Sequence, residues 1–134
     1  MKRQAKACPA MVLALAGWLV PGGAYLLTRR YLQFAGFAMA VAVTFGAGLA
    51  MSGWCGWPGT AELAGLDGFS ALVFRGGAAL KLLAGIPYLA VRAFGGSGSL
   101  LDSRLHEQGN TLLMMAGLLN VLSVSSALDL RRSK

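Results

Sequence analysis

Apolar residues gather into four runs along the chain, at 10–27, 32–51, 76–94 and 111–128, separated by polar, basic or glycine-rich stretches. A bilayer core about 30 Å thick takes about 20 helical residues. The runs at 32–51 and 111–128 carry no charge, match that length and predict membrane-spanning helices. The whole pattern predicts an all-α integral membrane protein of four hydrophobic segments, forming a single domain over 1–134.

The first run is interrupted at Pro21, Gly22 and Gly23. Proline removes a backbone donor and glycine weakens the helix beside it. Such a break is tolerated at membrane depth only where protein or water satisfies the freed groups. The segment therefore reads as a broken span, with a re-entrant hairpin as the alternative; the very unequal arms of such a hairpin favour the span. Its basic start resembles a signal peptide, but no lipobox precedes Cys8 or Cys55, and the segment is expected to remain as an anchor.

In the third run Lys81, Gly85, Tyr88 and Arg92 fall at i, i+4, i+7 and i+11, on one stripe of a helix. A cation at the centre of a span costs about 2.5–3.5 kcal/mol on insertion scales. Lys81 and Arg92 stand near the ends of the run, where a long stem carries the charge out to the interface. The alternative is a polar path through Lys81, Tyr88 and Arg92. The loop 52–75 reads as interfacial: Trp54 and Trp57 anchor it at headgroup level, and 60–74 suits a short helix lying on the membrane, interrupted at Asp67 and Gly68. The sequence GGSG at 95–98 has flexible-linker composition.

Two rows of small or polar residues suit helix packing. Ala38, Ala42, Gly46 and Ala50 repeat every four residues in the second run, and Ala116, Asn120, Ser123 and Ala127 share a face of the fourth. In lipid, helices associate by close van der Waals contact and interhelical hydrogen bonds, so small residues mark interfaces. The first row is best accounted for by packing within the bundle, which still leaves outward faces for a partner chain. Asn120 must find a partner in hydrocarbon and is expected to act as structural glue against another helix. Asp129 is either paired with Lys81 or Arg92 or solvated.

Charge and composition sharpen this picture without changing it. Of 134 residues, 56% are hydrophobic and 13% charged, against about 25% charged in a soluble domain. The net charge of +7 would suggest nucleic acid in a soluble protein. Here Lys2, Arg3, Lys6, Arg29, Arg30, Arg92, Arg104, Arg131, Arg132 and Lys134 flank the apolar runs. That placement suits anionic headgroups and topology, and it leaves no basic face for nucleic acid. Four crossings set Lys2, Arg3, Lys6, Arg75 and the C-terminal cations against Arg29, Arg30, Arg92 and Arg104. A re-entrant first segment regroups them but keeps the N-terminal side richer, so the N-terminus is expected in the cytoplasm.

Catalytic signatures are missing. His106 and Glu107 stand together, but position 110 is Asn, so HExxH is not formed. Two isolated cysteines and one histidine supply no zinc cluster. No cofactor is expected; the one axial ligand a haem or pigment would find is His106. The chain is not expected to be an enzyme.

Two stretches resemble a known family. Residues Gly17-Trp18-Leu19-Val20-Pro21-Gly22-Gly23-Ala24-Tyr25-Leu26, followed by Arg29-Arg30 and Gly36-Phe37, resemble a W-L-x-PG-x-G signature. His106 through Thr111, then Ala116-Gly117-Leu118-Leu119-Asn120-Val121-Leu122 and Ala127-Leu128-Asp129, resemble an AGLLN-centred motif. Both occur in an uncharacterised family of small bacterial multi-pass membrane proteins (a domain of unknown function). The chain departs from that pattern at Ala24, where many relatives have a polar residue, and at Ser126, where Asp is common. The resemblance implies the architecture and a bacterial inner-membrane location, and it implies no reaction. The expected function is that of a non-catalytic accessory or scaffold subunit, docking onto other membrane protein subunits through small-residue helix faces. The alternative is an oligomeric transport or lipid-handling protein using the broken first helix with Lys81, Arg92 and Asn120.

Overall fold

The computed structural model describes residues 9–51, 53–94 and 104–132, and all regular structure among them is helical. Lys2, Arg3, Lys6, Cys8, the linker at 95–98 and Lys134 lie outside those residues, as do the side chains of Arg104, Arg131 and Arg132.

The first apolar run is not one 18-residue helix. Helix α1 spans Ala10–Leu19 and α2 spans Gly23–Leu27. Pro21 has no N–H to offer the carbonyl of Gly17 four residues back. Gly22 then takes φ +77° as the N-cap of α2, a left-handed conformation that glycine adopts without steric cost. The chain folds back: a Cβ on Gly17 would lie 3.0 Å from that of Ala24, whereas residues seven apart in a straight helix are separated by about 10.5 Å. At ten residues α1 is about 15 Å long, half a bilayer core.

Arg29 closes the next turn in the left-handed region at φ +59°, and the N–H of Arg30 reaches back to the carbonyl of Tyr25 at 2.9 Å. This six-to-one bond satisfies a carbonyl at the end of α2. Helix α3 follows over Tyr31–Ala50 and buries only a narrow face, Val41, Phe45 and Gly48.

After a loop and the single turn α4, Thr60–Leu63, helix α5 runs from Gly68 to Leu82. It therefore starts within the stretch expected to be interfacial, because Asp67 caps it by accepting hydrogen bonds from the hydroxyl and N–H of Ser70. Those bonds, the hydroxyl's first, hold the Asp67 carboxyl below its ordinary pKa. The cap is therefore at full strength above the ordinary carboxylate range and is lost as pH falls through the depressed value.

The third apolar run is not one straight helix either. Leu83, Ala84 and Gly85 donate to the carbonyls three residues back at 3.0–3.2 Å, which tightens the last turn of α5. Gly85 then takes φ +76° as the N-cap of α6, Ile86–Ala93, with Pro87 in its first turn. Helices α5 and α6 meet at 105°. Lys81 on one side of this bend and Tyr88 and Arg92 on the other do not share a stripe, because Gly85 and Pro87 end the helical register between them.

Helix α7, Arg104–Arg132, is the hub and packs against α1, α2, α3 and α5. It joins two apolar clusters. One gathers Val41, Phe45, Cys55, Ala84 and Tyr88 around Leu113 and Ala116. The other gathers Leu13, Ala24 and Tyr25 around Ala127, with Tyr25 stacked on Phe37 at 5.3 Å. Asn120 and Ser123 lie on α7 between the two.

Two helices, α3 and the Leu105–Leu130 part of α7, are long and apolar enough to cross a membrane. The bent pair α5–α6 makes a third if it counts as one span. Large apolar side chains such as Leu32, Met39, Val43 and Leu122 are exposed on the outer faces, a surface that suits lipid.

Candidate functional site

The polar residues that sequence places within apolar helices form two nodes on α7, about 15 Å apart along its axis. The first is Asn120, fully buried. Its Nδ2 donates to the carbonyls of Trp18 and Leu83, each at 2.9 Å. These are main-chain groups freed where helices end. Trp18 stands in the last turn of α1. Leu83 would be served in a continuous helix by the N–H of residue 87, which is proline. Both amide hydrogens of Asn120 are used, while its Oδ1 is buried without a partner among the described residues. The hydroxyl of Ser123 donates to the Asn120 carbonyl at 3.0 Å.

Backbones approach closely around this node. A Cβ on Gly85 would overlap the Trp18 carbonyl oxygen and stand 2.8 Å from that of Leu19, and a Cβ on Gly117 would overlap the Leu80 carbonyl. Two helix breaks, at Val20 and at Leu83, therefore meet at one point against the inner face of the unbroken helix α7.

The second node is built on Lys81, which is 3% exposed. Its Nζ donates to the Trp54 carbonyl and to Asn110 Oδ1, both at 2.8 Å, and stands 5.6 Å from the centre of the Trp54 ring, within cation–π range. Asn110 Oδ1 also accepts the Trp54 N–H at 3.0 Å, and its Nδ2 lies 3.1 Å from His106 Nε2. Trp54 stacks on Phe74, and neighbouring Cys55 is a buried free thiol. Burial pushes that thiol's pKa up, partly offset by the charge of Lys81. The node pins the 53–59 loop between α5 and the start of α7.

Lys81 therefore does not reach out to the interface. Trp54 and Asn110 close over it and replace its hydration, which a reading of the third run alone could not anticipate. Nor is Trp54 an outward anchor, since it is buried, whereas Trp57 is exposed. Arg92 and Arg29 are exposed, and Arg30 bonds Gln33. Lys81 and Asn120 belong to separate nodes, and Arg92 belongs to neither. Asp129 is exposed and forms no ion pair among the described residues.

The two small-residue rows differ in placement. Ala116, Asn120, Ser123 and Ala127 are all buried against the bundle. Ala42, Gly46 and Ala50 are exposed, Ala38 is half-buried, and a Cβ on Gly46 or Gly36 would meet nothing within 4 Å. Sequence assigned neither Asn110 nor Gly85 the role that it has here. The asparagine read only as the residue that breaks an HExxH pattern, and the glycine as a small member of a stripe.

Among the described residues no group of three or more His, Cys, Asp or Glu comes together to hold a metal. The polar groups of both nodes are spent mostly on each other and on main chain. Tyr88, fully buried, has a hydroxyl without a partner among the described residues. Tyr88→Phe is therefore expected to be neutral or to stabilise by up to about 1 kcal/mol, read as the midpoint of unfolding in detergent.

The sequence model of a family of unknown function, DUF6677, matches residues 12–133. No curated protein and no solved structure matches the chain.

Proposed function

The chain belongs to that family, whose description assigns no reaction, and we propose that it is a small non-catalytic subunit docking onto a larger membrane protein through the outer face of α3. The observation that carries this reading is the contrast between the two small-residue rows. The row on α7 is consumed inside the bundle, while Ala42, Gly46 and Ala50 stay outside with open space beyond Gly46. Small residues are a disadvantage against lipid, where they bury little, and an advantage against a second helix, where they let backbones approach.

In this reading α3 and α7 cross a bacterial inner membrane, α1 and α2 dip in and return as a re-entrant hairpin, and the N-terminus lies in the cytoplasm on the positive-inside count. The fold-back at Gly17 and Ala24 supports the hairpin over a crossing. The Asn120 node ties the two breaks together and the Lys81 node pins the 53–59 loop, so that α3 is presented on a fixed support.

Purification in mild detergent tests the proposal. The wild-type chain is expected to migrate with a partner protein, well above its own 13.9 kDa. Gly46→Leu is expected to release it as a monomer with unchanged helicity, because a Cβ there meets nothing within 4 Å among the described residues. A wild-type chain that migrates alone contradicts the proposal.

A further inference from the structure

Donors and acceptors in the second node balance in only one protonation state of His106. Asn110 Oδ1 accepts from two donors, Lys81 Nζ at 2.8 Å and the Trp54 N–H at 3.0 Å. The amide of Asn110 cannot be turned round, because Nδ2 in that place would set donor against donor. With Oδ1 held there, Nδ2 faces His106 Nε2 at 3.1 Å, and that nitrogen must offer a lone pair. His106 is thus neutral, with its ring proton on Nδ1. Neutral histidine in water favours the opposite tautomer, so it is the bond from Asn110 that selects this one.

We propose that the node is a pH-sensitive latch, in which protonation of His106 releases the 53–59 loop from α7. An imidazolium carries N–H on both nitrogens, so protonation converts the acceptor facing Asn110 Nδ2 into a donor. Rotating the amide to serve His106 would turn Nδ2 onto Lys81 and Trp54 instead. One link is lost in either arrangement. Trp54 depends on those links, because its N–H rests on Asn110 and its carbonyl on Lys81.

Charge acts in the same direction. Of the elements packed around the start of α7, α3 carries no charged residue. Helix α5 brings the buried Lys81 and the exposed Arg75, and the loop brings the buried Cys55 thiol. Glu107 is the next residue on α7 itself, about 100° round the helix. A cation on His106 would stand one amide away from Lys81, a like charge that has little water to screen it.

Access completes the device. His106 is half-buried, within reach of protons from water, whereas Lys81 and Cys55 are enclosed. In the orientation proposed above, this end of α7 faces away from the cytoplasm. The latch itself does not depend on that orientation or on docking through α3, and detergent solution tests it separately.

His106 is the one histidine of the chain, so the imidazole nitrogen resonances of the full chain report on it alone. At about pH 8 they are expected to show a protonated Nδ1 and a bare Nε2. Loop release is read by thiol labelling of Cys55 in a Cys8→Ser background, which leaves Cys55 as the sole thiol. Each rate is divided by that of a small free thiol at the same pH. Between about pH 8 and about pH 5, across which histidine takes up its proton, this ratio is expected to rise about tenfold, the weight of one lost hydrogen bond. His106→Gln keeps an acceptor that does not titrate and is expected to stay closed throughout. Asn110→Asp is expected to stay closed as well, since a carboxylate accepts from Lys81, Trp54 and an imidazolium alike. A ring protonated on Nε2 at about pH 8, a ratio that stays flat, or a rise that persists in either variant would overturn the proposal.

Discussion

Gly85→Ala is expected to destabilise the chain by about 3 kcal/mol. Two costs combine. At φ +76° and ψ −133° the backbone lies where only glycine is at ease, which costs an L-residue about 1–3 kcal/mol. The new Cβ would also overlap the Trp18 carbonyl, and overpacking of that kind costs about 1–3 kcal/mol more. Moving α1 away to make room would pull Trp18 off Asn120. The matched control is Gly46→Ala, which faces open space and is expected to change stability by less than about 0.5 kcal/mol. Unfolding midpoints in a series of denaturing detergent mixtures separate the two.

Asn120→Leu is expected to cost about 1.5–3 kcal/mol. Side-chain hydrogen bonds in membrane bundles average only about 0.6 kcal/mol each, which alone would make the loss small. Here, however, the two acceptors are main-chain carbonyls that have lost their helical donors, and each would be left buried and unserved. Asn120→Asp is expected to be worse than Asn120→Leu, because an ionised carboxylate donates nothing and would face two carbonyl oxygens. The effects of Gly85→Ala and Asn120→Leu are expected to fall short of additivity when combined, since both act on the Trp18 carbonyl and neighbouring sites couple.

These residues also mark how far the sequence could be read. The helical class and the spans at α3 and α7 follow from run length and charge alone. Asn120 was recognisable as interhelical glue, because an amide in an apolar run must bond to something. Its partners were not recognisable, since they are backbone groups at the ends of two other helices and side-chain pattern carries no record of them. Gly85 read as a small residue in a stripe because a positive φ leaves no mark in periodicity, although Pro87 two residues on was the available signal for a break. Lys81 read as a cation reaching for the interface because its position in the run was visible and the loop that closes over it was not. The row at Ala42, Gly46 and Ala50 read as an internal contact because bundles usually spend their small residues inside. This one spends those of α7 instead, where Gly109 and Gly117 bring other backbones close.

That last difference carries the functional account. The proposed docking role rests on inner surfaces held by Asn120 and by the Lys81–Asn110 node and on an α3 row, Ala42, Gly46 and Ala50, that looks outward. The most direct measurement places a photo-cross-linking side chain at Met39 or Val43, exposed positions flanking the α3 row, in the intact membrane. The account predicts a discrete adduct with a second protein from either position, none from Met115 on the outer face of α7, and loss of the α3 adduct on adding Gly46→Leu. Adducts with lipid alone at Met39 and Val43 would contradict it.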